Sequence, residues 1–374
     1  MISLSGPFWD HHPLERARNA HFLRVGAKAV IFDESAQQLF ELNESSAAIW
    51  GAIGDAGTMA AAAARLSDGD AVGAVLDHVR EAVAQWLERG LLNPAVPADG
   101  AEPPTEVRLA WMGRSVGLNL FGPFDAGPLQ AVFAGFQSTE PASYVLDVRA
   151  IGGLVFISEP EAAGCAKSPE AWIPEVKARL TRRLLQTTTS GFMLHAALLS
   201  RGGEGLLICG DSSAGKTMLS ASLLADGFDY HADDVVWIGE AGEVIGAPFA
   251  PAVKAGGWPL LAEMGGEAAT SETYLRGDGQ QVRYLLPPAP KGHVPLRIGS
   301  ILLLARGEGG SPQIEAVTPL EVMTAMLNSA YAARGAISAA GLKSLGRVVE
   351  DARIGRLCFS DWRDGRRLVQ AFAA

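Results

Sequence analysis

With 374 residues, 48% of them hydrophobic and 19% charged, the chain has globular composition and the length for two or three domains. Its 31 Lys and Arg against 41 Asp and Glu leave a net charge of −10, which argues against a general nucleic-acid binder, since such proteins carry a basic face. Three scattered cysteines (Cys165, Cys209, Cys358) fit neither a disulfide framework nor a metal cluster. With neither a secretory signal nor an apolar run near the roughly 20 residues that span a bilayer, a soluble cytoplasmic protein with no membrane partner is expected.

Residues 22–25, 29–32 and Gln38–Leu42 read as three short strands. Asn43 is placed to cap a helix with Ile49, Trp50 and Ile53 on its apolar face, and residues 59–66 form a second helix. Val72, Val75, Leu76, Val79, Val83, Trp86 and Leu87 recur at helical spacing as far as Gly90, where a left-handed cap would end a third. Residues 93–106 contain four prolines and no apolar periodicity, which is linker composition. The chain thus divides into an α+β, winged-helix-like domain at 1–93, a linker at 94–106 and a larger domain at 107–374.

The stretches LFELNESSAAIW (39–50) and VAQWLERGLL (83–92) resemble the PqqD-type fold, over about residues 18–93. Domains of that type recognise the leaders of ribosomally made, post-translationally modified peptides (RiPPs). The resemblance implies a precursor leader added as a strand along Gln38, Leu39, Phe40, Glu41 and Leu42, with the third helix, at Val79, as one wall. Backbone pairing to an open sheet edge would supply the affinity.

In the following region, 107–112 and 116–120 suggest a hairpin, 128–136 a helix, and 144–148 and 153–157 two more strands. A helical stretch opens at Ser168 and Pro169 and runs to about Leu185 with an interruption at Pro174. Its Lys177, Arg179, Arg182 and Arg183 read as a solvated face in preference to a phosphate or peptide contact. Residues 107–186 are either a subdomain or an extension of the sheet that follows.

The chemistry concentrates downstream. An apolar run, 205–209, leads into Gly210, Asp211, Ser212, Ser213, Ala214, Gly215, Lys216 and Thr217, then into a helix. This is G-x-x-x-x-G-K-[ST] in a strand–loop–helix setting: backbone N–H groups and the helix N-terminus cradle phosphates, Lys216 reaches the β- and γ-phosphates, and Thr217 offers a hydroxyl to Mg²⁺. ATP and Mg²⁺ are the expected cofactors, and the lack of an Asn-Lys-x-Asp guanine motif favours ATP over GTP. Residues 230–238 read as a strand beside the phosphate-loop strand, carrying Asp233 and Asp234 on opposite faces near the phosphates.

Residues 194–238 resemble the core of the HPr kinase/phosphorylase family, with its histidine before the phosphate loop and its Ala-Asp-Asp element after it. The resemblance implies a P-loop kinase α/β domain with a mixed sheet. It also implies His195 as an active-site histidine, Asp233 as general base on a serine, and Asp234, with Thr217, near the metal. The family's Arg-Gly-Leu-Gly loop is absent; that region reads GAPFAPAVKAGGWPLL (246–261) and is closer to HPr-kinase-related proteins that accompany peptide-modification genes. Lys254, Arg276 and Arg283 are further candidates for phosphate or acceptor contacts. Residues 318–321 carry a capping-box pattern.

Together these features point to a kinase that phosphorylates a Ser or Thr hydroxyl of a RiPP precursor, lasso-type peptides included, recruited through its leader. Alternatives are a kinase for a small molecule or folded protein and a nucleotide-gated module that presents a precursor without catalysis. A homo-oligomer is compatible with the sequence.

Overall fold

The computed structural model describes residues 2–67, 72–96, 104–160, 162–188, 190–211, 214–264, 270–287, 289–291, 294–306, 311–331 and 337–373. The chain forms two compact units: residues 1–108, 116–125 and 141–172 make the first, and 109–115, 126–140 and 173–374 the second.

In the first unit, Ala20–Val25, Lys28–Asp33 and Gln38–Leu42 form an antiparallel meander, with Gln38–Leu42 at one edge. Helices Glu44–Ala56, Met59–Leu66 and Val72–Glu88 follow. Asn43 caps the first as expected, its side chain accepting from the Ser46 N–H at 2.7 Å. Strands Tyr144–Ile151, Leu154–Glu159 and Ala162–Lys167 run antiparallel, and Tyr144–Ile151 pairs in parallel with residues 116–121. One core serves both parts. Trp50 and Trp86 meet edge to face at 5.1 Å, and the cluster around them takes in Ile31, Val83 and Leu87 together with Ile151, Leu154 and Phe156. That shared core is why the compact unit runs past the proline-rich stretch at 93–106 that composition alone marks as a boundary.

The second unit is built on a mixed six-stranded sheet in the order Asp229–Ala232, Ala197–Arg201, Glu204–Cys209, Arg297–Arg306, Arg353–Phe359, Gln313–Glu315. Alternate residues serve opposite faces. Leu199, Leu206, Ile208 and Leu302 pack with Leu219 and Leu223 of helix Lys216–Leu224 and Val369 of helix Trp362–Phe372. Leu198, Leu207, Ile301 and Leu303 pack with Val322 and Met326 of helix Pro319–Asn328 and Leu345 of helix Ala339–Glu350. The capping box of Pro319–Asn328 is present at Thr318 and Glu321. The result is a three-layer α/β arrangement.

Three expectations are corrected. The strand after the phosphate loop does not lie beside the phosphate-loop strand, because Ala197–Arg201 occupies that position. Gly202 and Gly203, at φ 61° and 89°, close a two-residue hairpin between those neighbours. Nor is 230–238 one strand. Asp229–Ala232 ends the large sheet, whereas Val236–Ile238 pairs with Phe192–Leu194 and Val244–Gly246 in a separate one. Asp233 and Asp234 sit in the bend between the two sheets. Pro174 does not interrupt its helix either. The helix is Trp172–Thr187, so Pro174 falls in the first turn, where an unpaired backbone nitrogen costs nothing.

Candidate active site

The site is built around the start of helix Lys216–Leu224. Gly215 precedes it with φ +101°, a conformation open to glycine and strained for other residues. Lys216 is 5% exposed and folds back over the loop, its Nζ donating to the carbonyls of Gly210 at 2.7 Å and Asp211 at 3.2 Å. Burial lowers the Lys216 pKa, and the charge of Asp233 works the other way. Ala214, Gly215 and Thr217 complete the described part of the loop; Ser212 and Ser213 lie outside the described residues.

The two adjacent carboxylates have separate partners. Thr217 Oγ1 donates to Asp233 Oδ2 at 2.7 Å, while Asp233 Oδ1 is buried with no hydrogen-bond partner among the described residues. Asp234 is partly exposed at the cleft wall. Its Oδ1 meets His195 Nδ1 at 2.8 Å and the Tyr331 hydroxyl at 3.0 Å, and its Oδ2 accepts from Lys177 Nζ at 3.2 Å. Tyr331 reaches this position because residues 329–331 are strapped to 193–195. His195 N–H donates to the Ser329 carbonyl and Tyr331 N–H to the Met193 carbonyl, both at 2.8 Å.

The electrostatics separate the pair further. Burial pushes Asp233 up to about 6, against the pull of the Thr217 hydrogen bond. Burial also acts on Asp234, but Lys177, His195 and Tyr331 outweigh it and hold that carboxyl well below the usual carboxylate range. Asp233 therefore binds its proton more tightly folded than unfolded, where its ordinary value is 3.8. Stability falls as pH rises from 3.8 to about 6, and the cost of about 3 kcal/mol is fully present above that window. Asp233→Asn is accordingly expected to raise Tm more at pH 7.5 than at pH 5. Equal shifts at the two pH values in calorimetry would contradict the assignment.

Lys177, His195, Lys216, Thr217, Asp233 and Asp234 line a cleft of about 810 Å³ within the second unit. One wall is a single stripe of helix Trp172–Thr187, namely Pro174, Lys177, Ala178, Thr181, Arg182 and Leu185. The opposite stripe, Ile173, Val176, Leu180 and Leu184, is buried. Lys177 and Arg182 therefore belong to the cleft, and Arg179 is buried with Glu175 at 3.0 Å, which corrects the reading of all four basic residues as a solvated face. The amphipathic spacing was visible in the sequence, but nothing local said which stripe faces a site. Tyr331 left no sequence signal.

Lys254 and Arg276 line the cleft, with Arg276 paired to Asp278 at 3.1 Å in the hairpin between Thr270–Leu275 and Gln281–Leu285. Arg283 does not. Its guanidinium lies 4.3 Å from the Trp258 ring and donates to Thr273 at 3.1 Å, so cross-strand pairing turns it away from the phosphate loop.

In the first unit, Gln38–Leu42 has a hydrogen-bonded neighbour strand on one side among the described residues. Leu39 is 67% exposed, and Phe40 lies under the Arg89 guanidinium at 4.8 Å. Leu42 is buried, Glu41 pairs with Lys28, and Gln38 is exposed. Val79, expected on a groove wall, is wholly buried in the core. No helix among the described residues is long and apolar enough to cross a membrane.

Residues 28–92 match the family model described as Coenzyme PQQ synthesis protein D (PqqD), and this part of the first unit is a PqqD domain. A solved structure, the Hpr(Ser) kinase/phosphatase from Coxiella burnetii, is similar over 48% of this chain and 92% of its own, at 14% identity and a TM-score of 0.23. At that level of likeness the reading of the site rests on its own geometry. No curated protein matches the chain.

Proposed function

We propose that this chain is an ATP-dependent kinase that phosphorylates a Ser or Thr hydroxyl of a ribosomally made precursor peptide, recruited through its leader by the PqqD domain. One observation carries the catalytic half: two adjacent carboxylates with different partners, beside a phosphate-loop lysine, in one cleft. The PqqD match supports the recruiting half, with the open edge at Gln38–Leu42 as the place for an added strand.

The residues present fit a magnesium ion. Asp233 Oδ1 is a buried carboxylate oxygen without a partner among the described residues, its carboxylate is bonded to the Thr217 hydroxyl, and hard oxygen donors suit Mg²⁺. Thr217 and Asp233 would hold the ion, which when bound neutralises charge on the phosphates. This exchanges the roles that the family resemblance implies, and the physical reason is the hydrogen bonding. Asp233 is committed to the phosphate-loop threonine, whereas Asp234 faces the cleft among donors.

In this reading the acceptor oxygen forms its bond to the γ-phosphorus as the bond to the β–γ bridging oxygen breaks, leaving ADP. The hydroxyl proton passes to Asp234. Such transition states are loose, so a carboxylate of low basicity serves if it is well oriented, and His195 and Tyr331 orient it. Lys216 leaves the carbonyls of its own loop for the β- and γ-phosphates, and Arg276 and Lys254 stand where they can meet an acceptor.

The test is incubation of the protein with Mg-ATP and the short peptides encoded beside its gene, with intact masses recorded. One added phosphate (about 80 Da) on a Ser- or Thr-containing core segment is expected, as phosphoryl transfer to a hydroxyl requires. Leader binding without a mass change would favour a presenting module. Neither binding nor transfer would favour a small-molecule acceptor.

A further inference from the structure

The phosphate loop accounts for one lysine of the cleft. A second, Lys177, comes from outside any motif, on a helix whose other stripe is core. Its side chain is 12% exposed, and burial of an ammonium group to that degree needs compensation. Part of that compensation comes from Asp234 at 3.2 Å and part from the Phe249 ring, 5.3 Å from Nζ. Lys177 and Lys216 thus line the same cleft from different elements, one held by a carboxylate and the other by the carbonyls of its own loop. These contacts occupy donor groups that a phosphate could also take.

We propose that Lys177 is a second phosphate-binding lysine, contacting the terminal phosphoryl group of the bound triphosphate as it passes to the acceptor. The inference rests on the kinase reading above and adds a residue to it. Geometry favours the terminal group. Asp234, the proposed acceptor-facing carboxylate, is the hydrogen-bond partner of Lys177, so Nζ is held where acceptor and transferred group must meet. Lys216 starts the helix that follows the loop and serves the nucleotide side. Lys177 also screens Asp234, whose charge would otherwise oppose an incoming polyphosphate.

Calorimetric titration with two probes, ADP and a methylene-bridged ATP analogue, each with Mg²⁺, tests the assignment. Lys177→Met is expected to weaken the analogue roughly tenfold, the order of one charge-assisted hydrogen bond, and to leave ADP within about twofold. Lys177→Arg should keep most of the preference for the triphosphate. A double variant, Lys177→Met with Asp234→Asn, separates contact from screening: the deficit is expected to persist, and full recovery of analogue affinity would overturn the proposal. So would an equal loss for both probes, or none. Thermal melts identify a variant that fails to fold, in which case Lys177→Gln replaces it. Wild-type protein that binds neither probe would overturn the kinase reading itself, a result distinct from a wild type that binds both and a variant that does not discriminate.

Discussion

Asp234→Asn is expected to lower phosphoryl transfer roughly 10³-fold, within the range that a positioned acid or base contributes. Affinity for Mg-ADP, which lacks the transferred group, should change little, because Asp234 is held by Lys177, His195 and Tyr331 rather than by the phosphate loop. Asp233→Asn should differ in kind. It removes the carboxylate bonded to Thr217, so the Mg²⁺ concentration needed for half-maximal turnover should rise as well. Magnesium titrations of both variants, read by phosphopeptide mass, decide between the two assignments. An unchanged magnesium requirement in Asp233→Asn, with transfer lost, would return the base to Asp233, the residue the family resemblance implies. Its pKa of about 6 would then place the acid limb of the rate profile near that pH.

The second large effect concerns recruitment. Removing residues 1–93 is a poor test, because the core formed by Trp50, Trp86 and Leu87 also includes Ile151, Leu154 and Phe156, which the deletion would strip bare. A surface change leaves that core alone. Leu39 is 67% exposed on the edge strand, and Leu39→Glu puts a charge where an added leader strand would lie. KM for a leader-bearing precursor is expected to rise roughly 10- to 100-fold, with kcat unchanged, because tethering raises the effective concentration of the acceptor without altering the transfer step. A leaderless core peptide should show the same kinetics with either protein. If Leu39→Glu leaves KM for the full precursor untouched, the edge at Gln38–Leu42 is not the leader site.

Much of the architecture was legible because it is locally encoded. The meander at residues 20–42, the cap at Asn43, the left-handed residue at Gly90 and the capping box at Thr318 all follow from a few neighbouring residues, and each is present. The strand–loop–helix at Glu204–Leu224 is legible for the same reason: its glycine requirement at φ +101° and its lysine and threonine lie within one turn of chain.

What joins these pieces into a site is not local. Lys177 lies 57 residues from Asp234 in the chain, and Tyr331 lies 97 away. Both reach it only because helix Trp172–Thr187 buries its other stripe and residues 329–331 are strapped to 193–195. The bend that separates Asp233 from Asp234 likewise exists because two sheets compete for one run of residues, with Asp229–Ala232 in one and Val236–Ile238 in the other. Backbone propensities and caps act over three or four residues, so the sequence by itself determined the elements, the phosphate loop and the PqqD domain. Which charges meet depends on long-range burial and strand pairing, and so the different partners of Asp233 and Asp234, and the presence of Lys177 beside Asp234, were decided by the tertiary structure alone.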